Sequence, residues 1–591
     1  MASPKKLADA LDAHRRGDLA AAERLYRAIL RSEPRHFDAT QLLGAVLFSR
    51  GRYADAVPVL RRAIAFNPNV AAVHNNLGGA VRALGETQAA LPHFDRALAL
   101  DADYADARNN RGNVHFDLCR MDEALADYER ALALRPDFPN ALQKSARILA
   151  AKGRGEEARA RDERALSIGP VSAELFLRSG NVLYDLGRPA EALSRYDQAL
   201  ALDTRRKPIW ISRGAALEAL DRPADALANF EQALEALPGD ADLICNKAMM
   251  LALLRRTEEA CALYREAAAL GPENPDVQTS YAMGLLAMGD FEAGLPAYEY
   301  RWGQRGRFGR RPEFALPVWR GEALTAKRVL VYTEQGLGDL VQFARYLPLL
   351  QAQGAEVSLL ALQRMHALLH AAFPTVTLFG DPGAVDVTRF DLQCALASLP
   401  FGFGTRLETI PADVPYLKAD PARVARWRER IGGHGLRVGI CWQGNPSIEV
   451  DAKRSMPLAC FAPLARVPGV RLISLQHKDG LGQLDGVDWV ERWDDFDTGA
   501  DAFADAMAMM ECVDLVIAPD TSVIHVAGAL ARPVWVPLRY VPDWRWMLDR
   551  DDTPWYPTMR LFRQEVPGEW IGVFERMRGA LEVMLERKHR P

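Results

Sequence analysis

Residues 71–104, AAVHNNLGGAVRALGETQAALPHFDRALALDADY, and residues 105–138, ADARNNRGNVHFDLCRMDEALADYERALALRPDF, decide the fold of the first half of the chain. Laid on one another, they place Gly85 over Cys119, Ala90 over Ala124 and Phe94 over Tyr128. The same 34-residue step runs in both directions and generates three series. The turn series is Gly17, Gly51, Gly85, Cys119, Gly153, Gly187, Asp221, Arg255 and Gly289. The small-residue series is Ala22, Ala56, Ala90, Ala124, Ala158, Ala192, Ala226, Ala260 and Gly294. Pro34, Pro68, Pro136, Pro170, Pro238 and Pro272 form the third, interrupted by Ala102 and Thr204. An aromatic follows four residues after the alanine in most units: Tyr26, Phe94, Tyr128, Tyr196, Phe230, Tyr264 and Tyr298. Glycine takes positive φ without penalty and so turns one helix into the next. Alanine lets two helices approach, the aromatic fills the space between neighbouring pairs, and proline ends the second helix because it cannot donate the helical hydrogen bond. Units of this kind stack into a solenoid.

These series resemble the tetratricopeptide repeat (TPR), in about nine units over residues 1–302. The resemblance implies an all-α superhelical solenoid whose concave groove holds an extended peptide or another protein. The helix expected to face that groove carries Asn76, Asn110, Asn113, Asn181 and Asn246. An amide donates and accepts in one plane, so a row of them can grip a peptide backbone without reading its side chains. The same asparagines also read as polar residues that the repeat merely tolerates.

The composition sets the outer limits. The chain has 591 residues, 49% hydrophobic and 25% charged, which excludes a largely disordered or collagen-like protein. No stretch approaches the ~18 uninterrupted apolar residues of a membrane span. The opening MASPKKLADALDAHRRGDLA lacks the apolar core of a secretory signal. A formal net charge of −4 supplies no basic field to attract nucleic acid. The seven cysteines are scattered and never paired as C-x-x-C, which argues against zinc or a disulfide framework and for a reducing cytoplasm.

After Tyr298 the period stops. Residues 303–325, GQRGRFGRRPEFALPVWRGEALT, read as a linker, whose Arg305, Arg307, Arg310 and Arg311 either meet phosphates or form a solvated seam. From Lys327 short apolar runs alternate with helical stretches, the pattern of α/β units with parallel strands. This second part, 326–591, divides into a half at 326–420, a half at 435–566 and a C-terminal helix at 567–591. Two α/β halves imply a cleft at the carboxyl ends of their strands.

Three motifs carry candidate chemistry. Glu334-Gln335-Gly336-Leu337-Gly338-Asp339 follows a strand and opens a helix. Gly336 and Gly338 let a ligand approach a helix N-terminus, where anions are favoured, with Gln335 beside them as a further donor-binding candidate. Asp339 reads either as a general base for an acceptor hydroxyl or as a helix cap. Gly444-Asn445 lies at a turn after a strand, and Lys453 and Arg454 further on can neutralise phosphates or form a surface basic pair. Asp520, Thr521 and Ser522 follow a third strand, with His525 one turn on, where a histidine and a helix dipole could stabilise a departing phosphate. Asp494, Asp495 and Asp497 read as exposed loop charge rather than a metal site.

Together GLGD at 336–339, KRS at 453–455 and DTSVIHVAGAL at 520–530 resemble the heptosyltransferase-like glycosyltransferases of the family 9 type, with a GT-B fold of two Rossmann-like halves. The resemblance covers roughly residues 328–570. It implies Asp339 as base and Asp520, Thr521, Ser522 and His525 as donor contacts, with no metal. Ser522 stands where that family usually has glycine, and the short first half departs from enzymes acting on a lipopolysaccharide core. The repeats, this domain and the tail VPDWRWMLDRDDTPWYPTMRLFRQ are together similar to bacterial TPR–glycosyltransferase fusions. Some of these modify flagellin with a nonulosonic acid, such as pseudaminic acid, from a CMP-activated donor. That resemblance implies a cytoplasmic protein O-glycosyltransferase with flagellin in the TPR groove and a nucleotide sugar as substrate. Two rival readings remain: a transferase acting on a glycan or lipid-linked acceptor, and a non-catalytic TPR scaffold or chaperone.

Overall fold

A computed structural model describes residues 4–304, 311–446 and 451–588. The chain divides into two compact units, Met1–Arg222 and Pro223–Pro591. Arg305, Arg307 and Arg310 lie outside the described residues.

The first unit is all helix among its described residues, from Pro4–Arg15 to Lys207–Ala219, in successive hairpins of 12 to 14 residues per helix. The 34-residue turn series explains the hairpins. Gly17, Gly51, Gly85, Gly153 and Gly187 take φ of 70° to 88°, and Cys119 and Asp221 are forced into the same left-handed region at 59° and 56°. Ala22, Ala56, Ala90, Ala124, Ala158 and Ala192 are completely buried. The aromatic series packs both against the next hairpin, where a Cβ on Gly284 would lie 2.8 Å from Tyr264, and inside its own. A Cβ on Gly78 would lie 2.9 Å from Phe94, on Gly112 2.8 Å from Tyr128, and on Gly180 2.4 Å from Tyr196. Each ring therefore seats on a glycine of the facing helix, because only a missing side chain leaves it room.

The second unit opens with more hairpins, Pro223–Ala236, Ala241–Leu253, Thr257–Leu270, Pro275–Ala287 and Phe291–Tyr298. Two parallel sheets follow. The first contains β1 (Arg328–Tyr332), β2 (Glu356–Leu360), β3 (Thr377–Phe379) and β4 (Leu392–Ala395), in the order β3-β2-β1-β4. The second contains β5 (Leu436–Ile440), β6 (Val470–Ser474), β7 (Val490–Glu491), β8 (Leu515–Ile517), β9 (Val534–Leu538) and β10 (Met559–Arg563), in the order β10-β9-β8-β5-β6-β7. The pairings are parallel throughout, with Ile440 opposite both Ser474 and Ile517. The strands are short buried runs such as VLVY and VWVPL, as expected for sheets covered by helices on both faces. The helix Ile571–Lys588 packs its Phe574 against Phe461, ring centroids 4.7 Å apart.

The last hairpins of this unit share a core with the sheets. Phe291 and Tyr298 meet the Trp544 ring at 6.1 and 6.0 Å, and Trp544 in turn meets Trp555 at 6.2 Å. Arg255, another turn-series residue at φ 58°, donates to Leu548 O and Asp549 Oδ1, each at 3.0 Å. Arg311 lies over Trp302, its Cζ 5.8 Å from the ring centroid. Among the described residues no helix is long and apolar enough to cross a membrane.

The left-handed turn positions give a direct test. A side chain there costs roughly 1–2 kcal/mol that glycine avoids, offset in part by the greater freedom of glycine in the unfolded chain. Cys119→Gly and Asp221→Gly are each expected to raise stability by about 0.5–1 kcal/mol in urea denaturation. Gly85→Ala is expected to lower it.

Candidate functional site

In the second sheet the chain leaves β5 in one direction for β6 and β7 and in the other for β8, β9 and β10. Ligands of parallel α/β sheets bind outside the carboxyl ends of the strands at such a switch point. The segments leaving β5 and β8 there are Cys441–Gly444 and Asp520–Thr521.

Side-chain amides and hydroxyls shape the first segment. Gln476, just beyond β6, accepts from the N–H groups of Trp442 (3.0 Å) and Gln443 (3.1 Å) through Oε1 and donates through Nε2 to Gln443 O (2.8 Å). The Gly444 N–H donates to Ser455 Oγ at 2.9 Å, and Ser455 Oγ donates to Asp451 Oδ2 at 2.9 Å. Arg454 Nε donates to the other oxygen of Asp451 at 3.2 Å. Gly444 has no room for a side chain: a Cβ would stand 2.2 Å from Asp451 Oδ1, 3.1 Å from Thr521 Cγ2 and 3.2 Å from Arg454 Nη2. Asn445 is exposed at the rim. The Lys453 side chain lies outside the described residues.

The second segment opens the helix Ser522–Ala529. Thr521 stands at its N-cap, but its side chain makes no capping bond, and its buried Oγ1 has no hydrogen-bond partner. A pocket of about 70 Å³ lies beside it, lined by Arg454, Asp520, Pro537, Leu538, Arg539, Pro542 and Asp543. Burial, with the Asp543 carboxylate beside it, pushes the Asp520 carboxyl above its usual range. Asp543 stays below its usual range despite burial, because Arg545 faces it.

The first sheet supplies the opposite wall. β1 runs into Glu334–Gly336 and the helix Leu337–Ala344, which packs against Ser522–Ala529. A Cβ on Gly338 would lie 2.8 Å from His525 Cδ2 and 3.5 Å from Ser522 Cα, so this glycine allows the GLGD and DTSVIH segments to touch. Asp339 caps its helix, Oδ2 accepting from the Gly336 N–H at 2.9 Å, while Oδ1 pairs with Arg545 Nη2. Arg545 also donates to Asp543 Oδ1 at 2.8 Å and to Gln335 Oε1 at 3.3 Å, and Gln335 Nε2 donates to Tyr298 OH at 3.1 Å. Burial pushes the Asp339 carboxyl up more than Arg545 pulls it down. Next to it Glu334 is buried against Arg301 (3.0 Å) and pushed up to about 7 by burial.

His525 is buried, its Nδ1 hydrogen-bonded to Tyr556 OH at 3.1 Å and its ring 5.5 Å from Trp546. Burial, reinforced by Arg545 and Arg345, drives its pKa down to about 3. It is therefore a neutral imidazole at pH 7, able to hydrogen-bond a phosphate but not to place a positive charge on it. Helix placement was readable in the sequence; this burial was not.

The structure thus brings together Gln335, Gly336, Gly338, Asp339, Gly444, Arg454, Asp520, Thr521, Ser522 and His525 around the facing ends of the two sheets. Sequence reasoning missed Asp451, Asp543, Arg545 and Arg539. The signal for two of them was the tryptophan-flanked DWRW at 543–546. Among the described residues no cluster of His, Cys, Asp and Glu is placed to hold a metal. Of the aspartates in the 494–497 loop, Asp495 pairs with Arg430 (2.8 Å) and Asp497 accepts from the Asp505 N–H (2.7 Å).

The five asparagines lie elsewhere, on first helices of the hairpins. Asn110 Nδ2 donates to Asn75 Oδ1 (3.0 Å), and Asn246 Nδ2 donates to Asp242 O of its own helix (2.8 Å). Asn113 and Asn181 accept from Tyr128 OH and Tyr196 OH, each at 2.9 Å. Asn76 is half-buried.

Comparison with known proteins bears on the helical half. Residues 7–71, 105–138, 177–241 and 211–275 match the tetratricopeptide repeat, and residues 78–118 match the TPR repeat. Over these residues the helical hairpins are tetratricopeptide repeats. Protein FlbA of Caulobacter vibrioides is 31% identical over 339 residues, 51% of this chain and 54% of that protein. The chain therefore spans about half the length of the curated relative it matches. Among solved structures, YrrB, a TPR protein with an unusual peptide-binding site, is 26% identical with a TM-score of 0.29, over 31% of this chain and 95% of that one. The C-terminal part of a TPR protein from Cytophaga hutchinsonii is 18% identical with a TM-score of 0.36, over 41% and 98%.

The state of His525 has a measurable sign. An unfolded histidine binds a proton near pH 6.5, whereas folded His525 resists protonation to about 3. Below pH 6.5 the unfolded chain therefore binds a proton that the folded chain refuses, and stability falls. Between pH 7 and 5 the wild type is expected to lose about 2 kcal/mol more than His525→Gln, by urea denaturation at each pH. Equal losses would mean that the buried imidazole is protonated.

Proposed function

We propose that the chain is a protein O-glycosyltransferase of GT-B type that moves a sugar from a nucleotide-activated donor to a Ser or Thr hydroxyl of a protein held by its TPR groove. The observation that carries this reading is the meeting of the Gln335–Asp339 and Asp520–His525 segments, from the carboxyl ends of two parallel sheets, beside a pocket with arginines on its wall. The donor's nucleotide would occupy the second sheet's end. Thr521 Oγ1 and the helix N-terminus suit its phosphate, Arg454 and Arg539 suit its charge, and the Asp520 carboxyl suits a hydroxyl of the ribose.

In this mechanism the acceptor oxygen bonds to the anomeric carbon as the bond from that carbon to the phosphate oxygen breaks. The nucleotide leaves with the bonding pair, and Asp339 takes the hydroxyl proton. A carboxyl raised by burial is a better base than an exposed one. Its bond to Arg545 would have to loosen as the acceptor enters. No metal is invoked, since arginines and helix N–H groups meet the leaving charge. The resemblance to TPR–glycosyltransferase fusions extends the proposal to a CMP-linked nonulosonic acid as donor, flagellin as acceptor and the cytoplasm as the site of action.

One observation favours a second reading. Both Asp339 oxygens are already bonded, to Gly336 N–H and to Arg545, as in a site that has lost turnover and serves a TPR scaffold.

Intact-mass spectrometry of flagellin from cells carrying the wild type or Asp339→Asn tests the proposal. Discrete sugar mass increments are expected with the wild type and none with the variant, while flagellin co-purifies with both. An unchanged flagellin mass with the wild type would overturn the acceptor assignment. Modification that survives Asp339→Asn would overturn the base.

A further inference from the structure

Two arginines from different elements hold three consecutive carbonyls of the second unit. Arg563, at the end of β10, donates to Trp546 O (2.6 Å) and Met547 O (2.9 Å), and through Nε to Arg550 O (2.8 Å). Arg255, at the turn between the helices Ala241–Leu253 and Thr257–Leu270, donates to Leu548 O (3.0 Å). Its guanidinium also meets Asp549 Oδ1 at 3.0 Å and lies 5.5 Å from the centroid of the Tyr540 ring. Arg255 therefore touches both ends of the segment 540–549. Between those ends lie Pro542 and Asp543, on the pocket wall, and Arg545, the partner of Asp339. The next repeat turn stands against the same segment, since a Cβ on Gly289 would lie 3.9 Å from Met547 Sδ.

The backbone held in this way is strained. Met547 takes φ 52° and ψ −173°, a region mostly left to glycine. Such a conformation persists only where its surroundings over-determine it. Here Arg563 fixes the carbonyls of Trp546 and Met547, and Arg255 fixes the one that follows. Met547 lies two residues beyond Arg545, so relaxation of its φ and ψ re-aims the segment that carries the arginine. Arg255 itself sits at φ 58°, where most of the turn series has glycine. Its ion-pair partner Asp549 is 81% exposed, and so exposed a pair returns less than a side chain costs in that left-handed turn. Stability of the repeat does not account for this arginine. Its reach does, because glycine has nothing to place on Leu548 O and Tyr540.

We propose that Arg255 is a positioning residue of the candidate site. From a repeat turn it closes the segment 540–549, keeps Met547 in its strained conformation, and so holds Arg545 on Asp339 and Asp543 in the pocket wall. The ordering of the segment is independent of the transferase reading; only its effect on nucleotide binding rests on that reading.

The test is hydrogen exchange by mass spectrometry on the full-length wild type and Arg255→Gly, with CMP titrated calorimetrically into both. Arg255→Gly gives the turn the residue that suits its φ, so its urea midpoint is expected to be no lower than that of the wild type. The amides of Arg545, Trp546 and Met547 are bonded within the segment to Asp543 and Trp544. They are expected to exchange at least tenfold faster in the variant, while those of β8 and of the helix Thr257–Leu270 keep their rates. CMP affinity is expected to fall at least fivefold. Asp549→Ala, which removes only the exposed ion pair, is expected to change either readout less than twofold. Unchanged exchange at 545–547 in Arg255→Gly would overturn the proposal. So would a uniform acceleration across the second unit, which would make Arg255 a support of the fold alone. Faster exchange with unchanged CMP affinity would overturn the link to the site. A wild type that binds no nucleotide would count against the transferase reading instead, and the exchange comparison would still decide whether Arg255 orders the segment.

Discussion

Arg545 holds the second unit's candidate site together. Its side chain is 8% exposed, and its guanidinium lies between Asp339 from the first sheet and Asp543 from the second, with Gln335 as a further acceptor. A cation taken out of water must recover its lost hydration from partners fixed in position. Here the partners come from loops at the ends of both sheets, so the charge can be satisfied only when the two sheets face each other as they do. Gly338 against His525 sets the closeness of the approach, and Arg545 sets its register. Removing the arginine would leave two half-buried carboxylates, Asp339 and Asp543, without the cation they share.

The same argument reaches into the repeats. Tyr298 ends the last helical hairpin, accepts from Gln335 and meets Trp544, the neighbour of Arg545, edge to face. Arg301 follows it, fully buried between Glu299 and Glu334, with Ser398 on a third bond at 2.7 Å. The hairpins from Pro223 onward are therefore part of the compact body that contains the sheets, although their sequence period is that of the first unit. A period reports which residues turn and which pack within a hairpin. It is silent on what the outer face of a hairpin meets.

That distinction separates the legible from the hidden. Gly85 and Ala90 could be read because their roles are local: a left-handed turn and a helix contact recur wherever the geometry recurs. The parallel strands were readable as short apolar runs, and Gly444 as a glycine after a strand. What demands glycine there, Asp451 drawn in by Ser455 and Arg454, becomes visible only in three dimensions. Arg545 and Asp339 are 206 residues apart, and no local pattern couples them. His525 could be placed on its helix but not credited with its neutral state, which follows from burial among Trp546, Tyr556 and nearby arginines.

The central claim is that the end of the second sheet is a nucleotide site. The most direct measurement is isothermal titration of CMP into the full-length chain and into Gly444→Ala, whose added methyl would push Asp451 and Arg454 into the crevice. The account expects saturable binding by the wild type, weakened at least tenfold in the variant while the fold, followed by circular dichroism, is unchanged. No binding of CMP or of any other nucleoside mono- or diphosphate by the wild type would contradict it.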